Sequence, residues 1–515
     1  MQIDFQKEHT YLSEMKMGQS ASLLVEGDII VPDIKPDIRE VLLTEAGAVV
    51  GSYDYANGKL SFSGTANVKI LYLPEEGNCP KCIETKFDFK DSFDFPEGEG
   101  LSFYVKGTTE HIEFSLINSR KMNVKLVVSV SVRAFRTQEK TLLCDVPVSC
   151  PLKVRKKPIE VYRLLADTAK ELVVSEEIEV PGAKPDVSEV IKVDAKAVKG
   201  DCKIMSGKML LKGALSLRTL YQSLSGDEGI QSMEHEIPFS EVIDLDGVGD
   251  DCLCHVSYQV KDLYYTLKEN QAGAPRVISL DVVLRADILA SKTRCYAVID
   301  DCYSVSGRAD IKRESLVLDE VLCVGVSHQT VKEILALPEN APEIGAVYRL
   351  ECKPKIQEIA IENGKLVAKG KLIAFVLYGS VDGEEPMYSL VGEFDFVHTV
   401  PADGAAEDAF CECAVTDQNV SFVLNGGGEI ELRCMLEFYT RAINKQEITL
   451  ITGCELTEEA GEEPPRGLVI YFAQKGDTLW DIAKFYRTDM KKIMELNQLE
   501  KESILAGQKI LIPKA

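Results

Sequence analysis

The stretch VPDIKPDIREVLLTEAGAVVGSYDYANGKLSFSGTANVKILYL, residues 31–73, decides how most of this chain is read. It returns as VPGAKPDVSEVIKVDAKAVKGDCKIMSGKMLLKGALSLRTLYQ at 180–222 and as LPENAPEIGAVYRLECKPKIQEIAIENGKLVAKGKLIAFVLYG at 337–379. Pro36, Gly64 and Tyr72 recur 149 positions on as Pro185, Gly213 and Tyr221. They recur a further 157 positions on as Pro342, Gly370 and Tyr378. Fixed residue types at one shared offset mark a repeated structural unit.

Each copy reads as β structure. Asn57-Gly58, Ser206-Gly207 and Asn363-Gly364 are hairpin turn signals, because glycine accepts the positive φ that such turns demand. Period-2 segments follow at once: Lys59-Leu60-Ser61-Phe62, Lys208-Met209-Leu210-Leu211 and Lys365-Leu366-Val367-Ala368. The proline before each acidic residue (Asp37, Asp186, Glu343) fixes an extended entry. Residues 37–43, 186–191 and 343–347 read equally as a short helical turn or as strand. A second strand-rich half follows each copy at 123–133, 276–285 and 429–437, the last after the turn signal Asn425-Gly426-Gly427-Gly428. Units of about 150 residues suit a β-sandwich or a pair of small sheets.

Beyond the third copy the chemistry changes. LTEEAGEEPPR at 456–466 is acidic, proline-containing and free of aromatics, as a linker would be. Then comes GLVIYFAQKGDTLWDIAKFYRTDMKKIMELNQLEKESILAGQKILIPKA, residues 467–515. It holds eight Lys/Arg against six Asp/Glu, a net of +2, whereas the whole chain has 58 against 82, a net of -24. The tail is therefore electrostatically distinct from the body. Residues 469–473 read as a strand. Asp477 or Thr478 can cap a helix whose apolar face is Leu479, Ile482, Ala483 and Tyr486. Thr488 or Asp489 can cap a second, with Met490, Ile493 and Met494 inward and Asn497 as its stop. Gly507-Gln508 turns the chain into a last strand at 509–512.

The expected architecture is mainly β: three tandem β-sandwich-like repeats at 1–160, 161–318 and 319–455, the linker at 456–466, and a small βααβ module at 467–515. The acidic surface argues against nucleic acid and anionic membranes as partners. No apolar run approaches the length of a membrane span. Fifteen cysteines, an odd number, sit mostly in apolar alternating segments, as free thiols do in a reducing compartment. With no apolar stretch of secretory type in the first residues, a cytoplasmic protein is expected.

The tail resembles the LysM module over nearly its whole length. Lys475-Gly476-Asp477-Thr478-Leu479, Ile482-Ala483, Leu496-Asn497, Ile504, Gly507-Gln508 and Ile510-Leu511-Ile512-Pro513 carry the resemblance. LysM modules bind N-acetylglucosamine glycans in a groove between two loops. The resemblance places one loop at Gly476, Asp477, Thr478 and Leu479, and the other at Leu499, Ser503, Ile504 and Leu505. Two further candidates flank them. Trp480, the sole tryptophan, lies one position off the buried helix face; it reads as packing or as partner contact. Arg487 stands where many LysM modules have glycine or another small residue.

The repeats resemble the SPOCS domain of spore-coat-associated proteins of endospore-forming bacteria. The Val/Leu-Pro openings at Pro32, Pro181 and Pro338 and the Asn/Ser-Gly-Lys hairpins carry it. SPOCS repeats closed by one LysM are similar to a family of clostridial coat morphogenetic proteins. That resemblance implies a mother-cell protein at the forespore surface. It also implies binding, through LysM, to the coat's basement-layer morphogenetic ATPase. A glycan reading stands beside it: peptidoglycan or N-acetylglucosamine binding that tethers the coat to cortex or cell wall.

Signs of catalysis are absent from the sequence. There is no phosphate loop and no nucleophile elbow. Cys79-Pro80-Lys81-Cys82 is the one CxxC; it sits in a Pro/Gly-rich loop and reads as structural, as half a metal site or as a redox pair. Cys252-x-Cys254-His255 and Cys411-x-Cys413 look like ligand clusters, but Cys254 and Cys411 lie 157 positions apart, the offset between the second and third repeats, and these cysteines read as small core residues on equivalent strands. The expectation is a scaffold with no enzymatic activity, no cofactor and no metal, an enzyme with a hidden site in the repeats being the weaker rival.

Overall fold

The structure, a computed structural model, describes residues 3–514 except 97, 99, 149, 226–228, 340, 384, 426–427 and 458–466. The linker from 458 on, and the Gly426-Gly427 part of the turn signal, therefore lie outside the described residues.

The body is three copies of one plan. Unit one has β1 (Gln6–Ile30), β2 (Ile38–Ala56), β3 (Lys59–Pro74), β4 (Lys81–Asp94), β5 (Leu101–Asn118) and β6 (Lys121–Asp145). Unit two has β7 (Leu152–Glu179), β8 (Val187–Lys199), the short β9 (Lys203–Met205), β10 (Lys208–Ser223), β11 (Ile230–Asp244), β12 (Leu253–Glu269) and β13 (Pro275–Ser304). Unit three has β14 (Arg308–Leu335), β15 (Ile344–Glu362), β16 (Lys365–Ser380), β17 (Tyr388–Pro401), β18 (Phe410–Asn425) and β19 (Glu429–Thr457). The expected junctions 160/161 and 318/319 fall inside β7 and β14. In every unit one sheet joins the first, last and second-last strands (β1-β6-β5, β7-β13-β12, β14-β19-β18), and the other joins the hairpin strands (β2-β3-β4, β8-β10-β11, β15-β16-β17). All pairings are antiparallel.

Strict alternation explains these sandwiches. Along β6, Met122, Val124, Leu126, Val128, Val130 and Val132 are all buried, as are Ile278 to Ile288 at every second position of β13. Most of their neighbours are less buried, with Arg285 and Asp287 of β13 as buried exceptions, so a one-residue slip in register would invert each strand. The three stretches left open between helix and strand begin strands at Ile38, Val187 and Ile344.

The repeated residues have matching jobs. Asn57 and Gly58 (φ 51° and 73°) and Asn363 and Gly364 (φ 51° and 71°) form tight turns with two left-handed residues. Tyr72 and Tyr221 are fully buried, and their hydroxyls donate to the carbonyls of Pro36 (2.9 Å) and Pro185 (3.1 Å). A Cβ on Gly64, Gly213 or Gly370 would lie within 2.7 Å of both a neighbouring carbonyl oxygen and the ring of Phe89, Phe239 or Phe396. The glycine thus makes room for a phenylalanine laid across it.

One feature goes beyond tandem sandwiches. The ends of the long strands leave their own sandwich as two-stranded ribbons and meet in a shared core. Leu12, Val161 and Leu318, at repeat-equivalent positions, pack there with Leu142, Val298 and Leu450. The hairpin sheets also converge, on Leu71, Leu220 and Leu377. The body is therefore a pseudo-threefold assembly.

Charge is buried at the same junctions. Glu45, Asp194 and Glu351 are repeat-equivalent, one per unit. Lys192 bridges Glu45 and Asp194, while Arg349 reaches Glu45 at 3.1 Å and Asp194 at 3.0 Å. Burial alone would raise the Glu45 carboxyl, but Lys192, Arg349 and Lys353 hold it well below the usual range. Removing one member of such a cluster strands the rest without partners. A second belt joins Arg133 to Asp167 (2.7 Å) and to Glu412, with Arg441 on Glu412 at 2.8 Å.

The tail folds as β20 (Gly467–Phe472), α1 (Leu479–Phe485), α2 (Met490–Leu496) and β21 (Lys509–Lys514), with β20 antiparallel to β21. No helix among the described residues is long and apolar enough to cross a membrane.

Candidate functional site

The two loops of the tail are built by local hydrogen bonding. Gly476 turns at φ 99°, a left-handed conformation suited to glycine. The Asp477 carboxylate accepts from the Tyr471 hydroxyl (2.6 Å) and the Gln474 N–H (2.7 Å), which hold its pKa below the ordinary value. Thr478 caps α1: its hydroxyl accepts from the Asp481 N–H at 3.1 Å and donates to the Asp481 carboxylate at 2.6 Å. Leu479 is buried in the module core, with Leu499 and Ile504 packed against that core.

The second loop is hooked to the first. Ala473 and Gly507–Gln508 exchange backbone hydrogen bonds, Gly507 N–H to Ala473 O at 2.6 Å and Ala473 N–H to Gln508 O at 2.9 Å. The Gln508 side chain accepts from the Leu505 N–H at 2.8 Å. Asn497 stitches α2 to β21, accepting from Leu511 N–H at 2.7 Å and donating to Leu511 O at 2.6 Å. That is the physical reason for the Leu496-Asn497 and Gly507-Gln508 signatures. Gly476, Thr478, Ser503 and Leu505 are exposed on the assembled loops.

Two expected site residues lie elsewhere. Arg487 sits at the opposite end of α1, just past its C-cap Tyr486, at φ 49°. That left-handed position is the one glycine favours after a helix, which accounts for the small residue found there in other LysM modules. Trp480 faces the body. Its indole N–H donates to Asp301 Oδ2 at 2.9 Å, and its ring meets Tyr303 edge-on at 5.0 Å.

The body side of that contact escaped the sequence reading. Asp301 also takes Lys484 at 2.7 Å and Arg313 at 3.1 Å, and the Tyr303 hydroxyl donates to Thr488 O at 2.8 Å. The visible signal was the pair Asp300-Asp301 interrupting an apolar strand. A bulge at Asp300 separates the two carboxylates, Asp300 going to Arg155 and Asp301 to the module.

Burial pushes the Cys82 thiol up to about 11; it lies on β4 in the junction of the hairpin sheets, with Cys79 packed beside it. Burial likewise raises Cys254 to about 11. Neither is a ready thiolate. A cavity of about 730 Å³ lies where the three units meet, and most of its charges answer one another: Lys69 with Glu84 (3.1 Å), Arg218 with Glu234 (2.8 Å), Lys86 with Asp262 and Lys196 with Asp417.

Comparison with known families fits this geometry. The family model "SipL, SPOCS domain" matches residues 37–117, 186–268 and 343–425, and "LysM domain" matches 471–513. Each SPOCS match opens at the acidic residue after the repeated proline and stops before the long final strand. The uncharacterized protein YkzQ of Bacillus subtilis (strain 168) is 42% identical over 43 residues, 8% of this chain and 57% of that protein. The chain thus spans little more than half of that relative. The crystal structure of the ferric yersiniabactin uptake receptor FyuA from Yersinia pestis overlaps 86% of this chain and 81% of its own, at 11% identity. Its TM-score of 0.11 carries no argument.

Proposed function

The chain belongs to the SipL-like proteins, with three SPOCS domains and a terminal LysM domain, and on that premise we propose that it is a non-catalytic adaptor of endospore coat assembly. In this reading it acts in the mother cell at the forespore surface. Its LysM module contacts the basement-layer morphogenetic ATPase of the coat, and the protein helps the coat encase the forespore. The observation that carries the reading is the domain arrangement itself. The SPOCS and LysM families are non-catalytic, and most charges lining the cavity are held in ion pairs.

A second reading rests on a different observation. Gly476 and Thr478 of one loop and Ser503 and Leu505 of the other are exposed, on the two loops between which LysM modules take N-acetylglucosamine chains. In that case the protein tethers the coat to cortex or cell-wall peptidoglycan.

One experiment separates the two. The full chain is titrated with the purified ATPase and, separately, with chito-oligosaccharide and peptidoglycan fragments, by calorimetry. Saturable binding to the ATPase alone supports the adaptor. Binding to glycan alone replaces it with the tether.

A further inference from the structure

The LysM module is seated on the body by one face of its first helix. Trp480 and Lys484, four residues apart and hence on one side of α1, both reach Asp301 of unit two. Arg313 of unit three completes that carboxylate's shell at 3.1 Å. Arg155, drawn by Asp300, lies over the Trp480 ring at 5.6 Å. Lys153 pairs with Asp489, and Tyr303 joins the module's own core. Trp480 is left 8% exposed.

The seat is particular to unit two, although the body offers three equivalent places. The ribbon ends of all three units carry the same bulge, with register shifts at Gln6/Lys7, Ile299/Asp301 and Lys312/Arg313. The position of Asp301 is Asp145 in unit one and Gly453 in unit three, and that of Tyr303 is Pro147 and Glu455. Asp145 is already taken by Lys156 at 2.6 Å. A carboxylate and a phenol therefore come together at unit two alone of the three positions, and there the module docks. A buried carboxylate shared by an indole N–H and two cations cannot lose its partners without leaving them unpaired.

We propose that this contact is a latch: the body holds the LysM module by its Trp480–Lys484 face, and a protein that takes that face gains it only after Asp301 lets go. The loops at 476–479 and 499–505 stay open throughout. The gating rests on the reading that LysM carries the partner contact, whereas the latch itself stands on the contacts with unit two.

Trp480 is the sole tryptophan, so the full chain reports on its own latch. The probe is acrylamide quenching of its fluorescence in the wild type, Asp301→Ala and Tyr303→Phe, with circular dichroism to verify the β body. Tyr303→Phe removes one hydroxyl and guards against a misfolded Asp301 variant. A closed latch gives weak quenching in the wild type, with quenching roughly threefold stronger in Asp301→Ala and an intermediate rise in Tyr303→Phe, as local opening increases. Equal, strong quenching in all three proteins overturns the latch. The ATPase is then titrated against wild type and Asp301→Ala. If about a tenth of the wild-type chains are open, the variant binds about tenfold more tightly. Equal affinity overturns the gating. Binding to neither chain overturns the ATPase reading and the gating with it, while the quenching still decides the latch.

Discussion

The backbone N–H of Met15 donates to Oδ2 of Asp319 at 2.7 Å, joining residues 304 positions apart in sequence. The other carboxylate oxygen takes Lys445 at 2.6 Å, and Lys445 also donates to Met15 O. The Asp319 side chain is fully buried. Burial raises its pKa, against the pull of Lys445 and the Met15 N–H. Asp319 thus pins the first ribbon to the third, alongside the Lys140–Glu314 pair at 2.6 Å. Asp319→Ala is expected to destabilise the body by about 1–3 kcal/mol, because it leaves the buried Met15 N–H without its acceptor. Chemical denaturation measures it; a loss within error would show that the pin carries no load.

Gly213→Ala probes the repeat signature. The added Cβ would sit 2.5 Å from the Phe239 ring and 2.7 Å from the Val198 carbonyl oxygen. Because backbone as well as side chain must shift, a loss of about 1–3 kcal/mol is expected. The same substitution at Gly47, which has open space around it, serves as the control in thermal unfolding.

His255 gives the body an acid-sensitive point. It stacks on Tyr439 at 3.8 Å, linking units two and three. Burial, with Lys199 and Lys106 nearby, pushes its imidazole down to about 3. The unfolded chain, with an ordinary histidine, binds the proton more readily, so stability falls as pH drops from about 6.5 toward 3. By about pH 4.5 the difference is on the order of 2–3 kcal/mol. His255→Phe keeps a stacking ring and removes the titration, so its stability should fall less steeply over that window. Parallel pH profiles for the two proteins would rule out His255 as the source.

Arg487 holds a left-handed conformation that an L side chain adopts at a cost of about 1–2 kcal/mol. Arg487→Gly should stabilise the LysM module by up to about 1 kcal/mol, since glycine's added freedom in the unfolded chain offsets part of the relief. Hydrogen exchange at the Ile493 and Ile510 amides, in the module core, would register it as slower opening.

What could be read from sequence was whatever acts locally. The Asn-Gly turns, the alternation along β6 and the caps Thr478 and Asp489 each depend on residues a few positions apart. The helices begin and end where those caps and Asn497 place them. The shared ribbon core and the charge clusters were hidden for the opposite reason. Glu45, Lys192 and Arg349 meet only because three units close around one axis, and each looks like an ordinary outward-facing polar residue within its own strand. Trp480 was ambiguous because its partner, Asp301, stands 179 positions away. The two loops of the module were legible; which face of the module meets the body was not.

The pairing of each unit's first strand with its last sets the order of events during synthesis. β1 has no ladder partner until β6 leaves the ribosome, and β14 waits likewise for β19. Each sandwich can close as its own final strand emerges. The ribbon core cannot, because Ile448 and Leu450 of β19 are among its members. Until then the apolar ends of two finished units stand uncovered, which is the stage at which long-range β proteins are most prone to aggregate. A nascent chain that stalls just short of β19 would be two-thirds folded and adhesive, so the cell's quality-control machinery has its hardest task at the last ribbon.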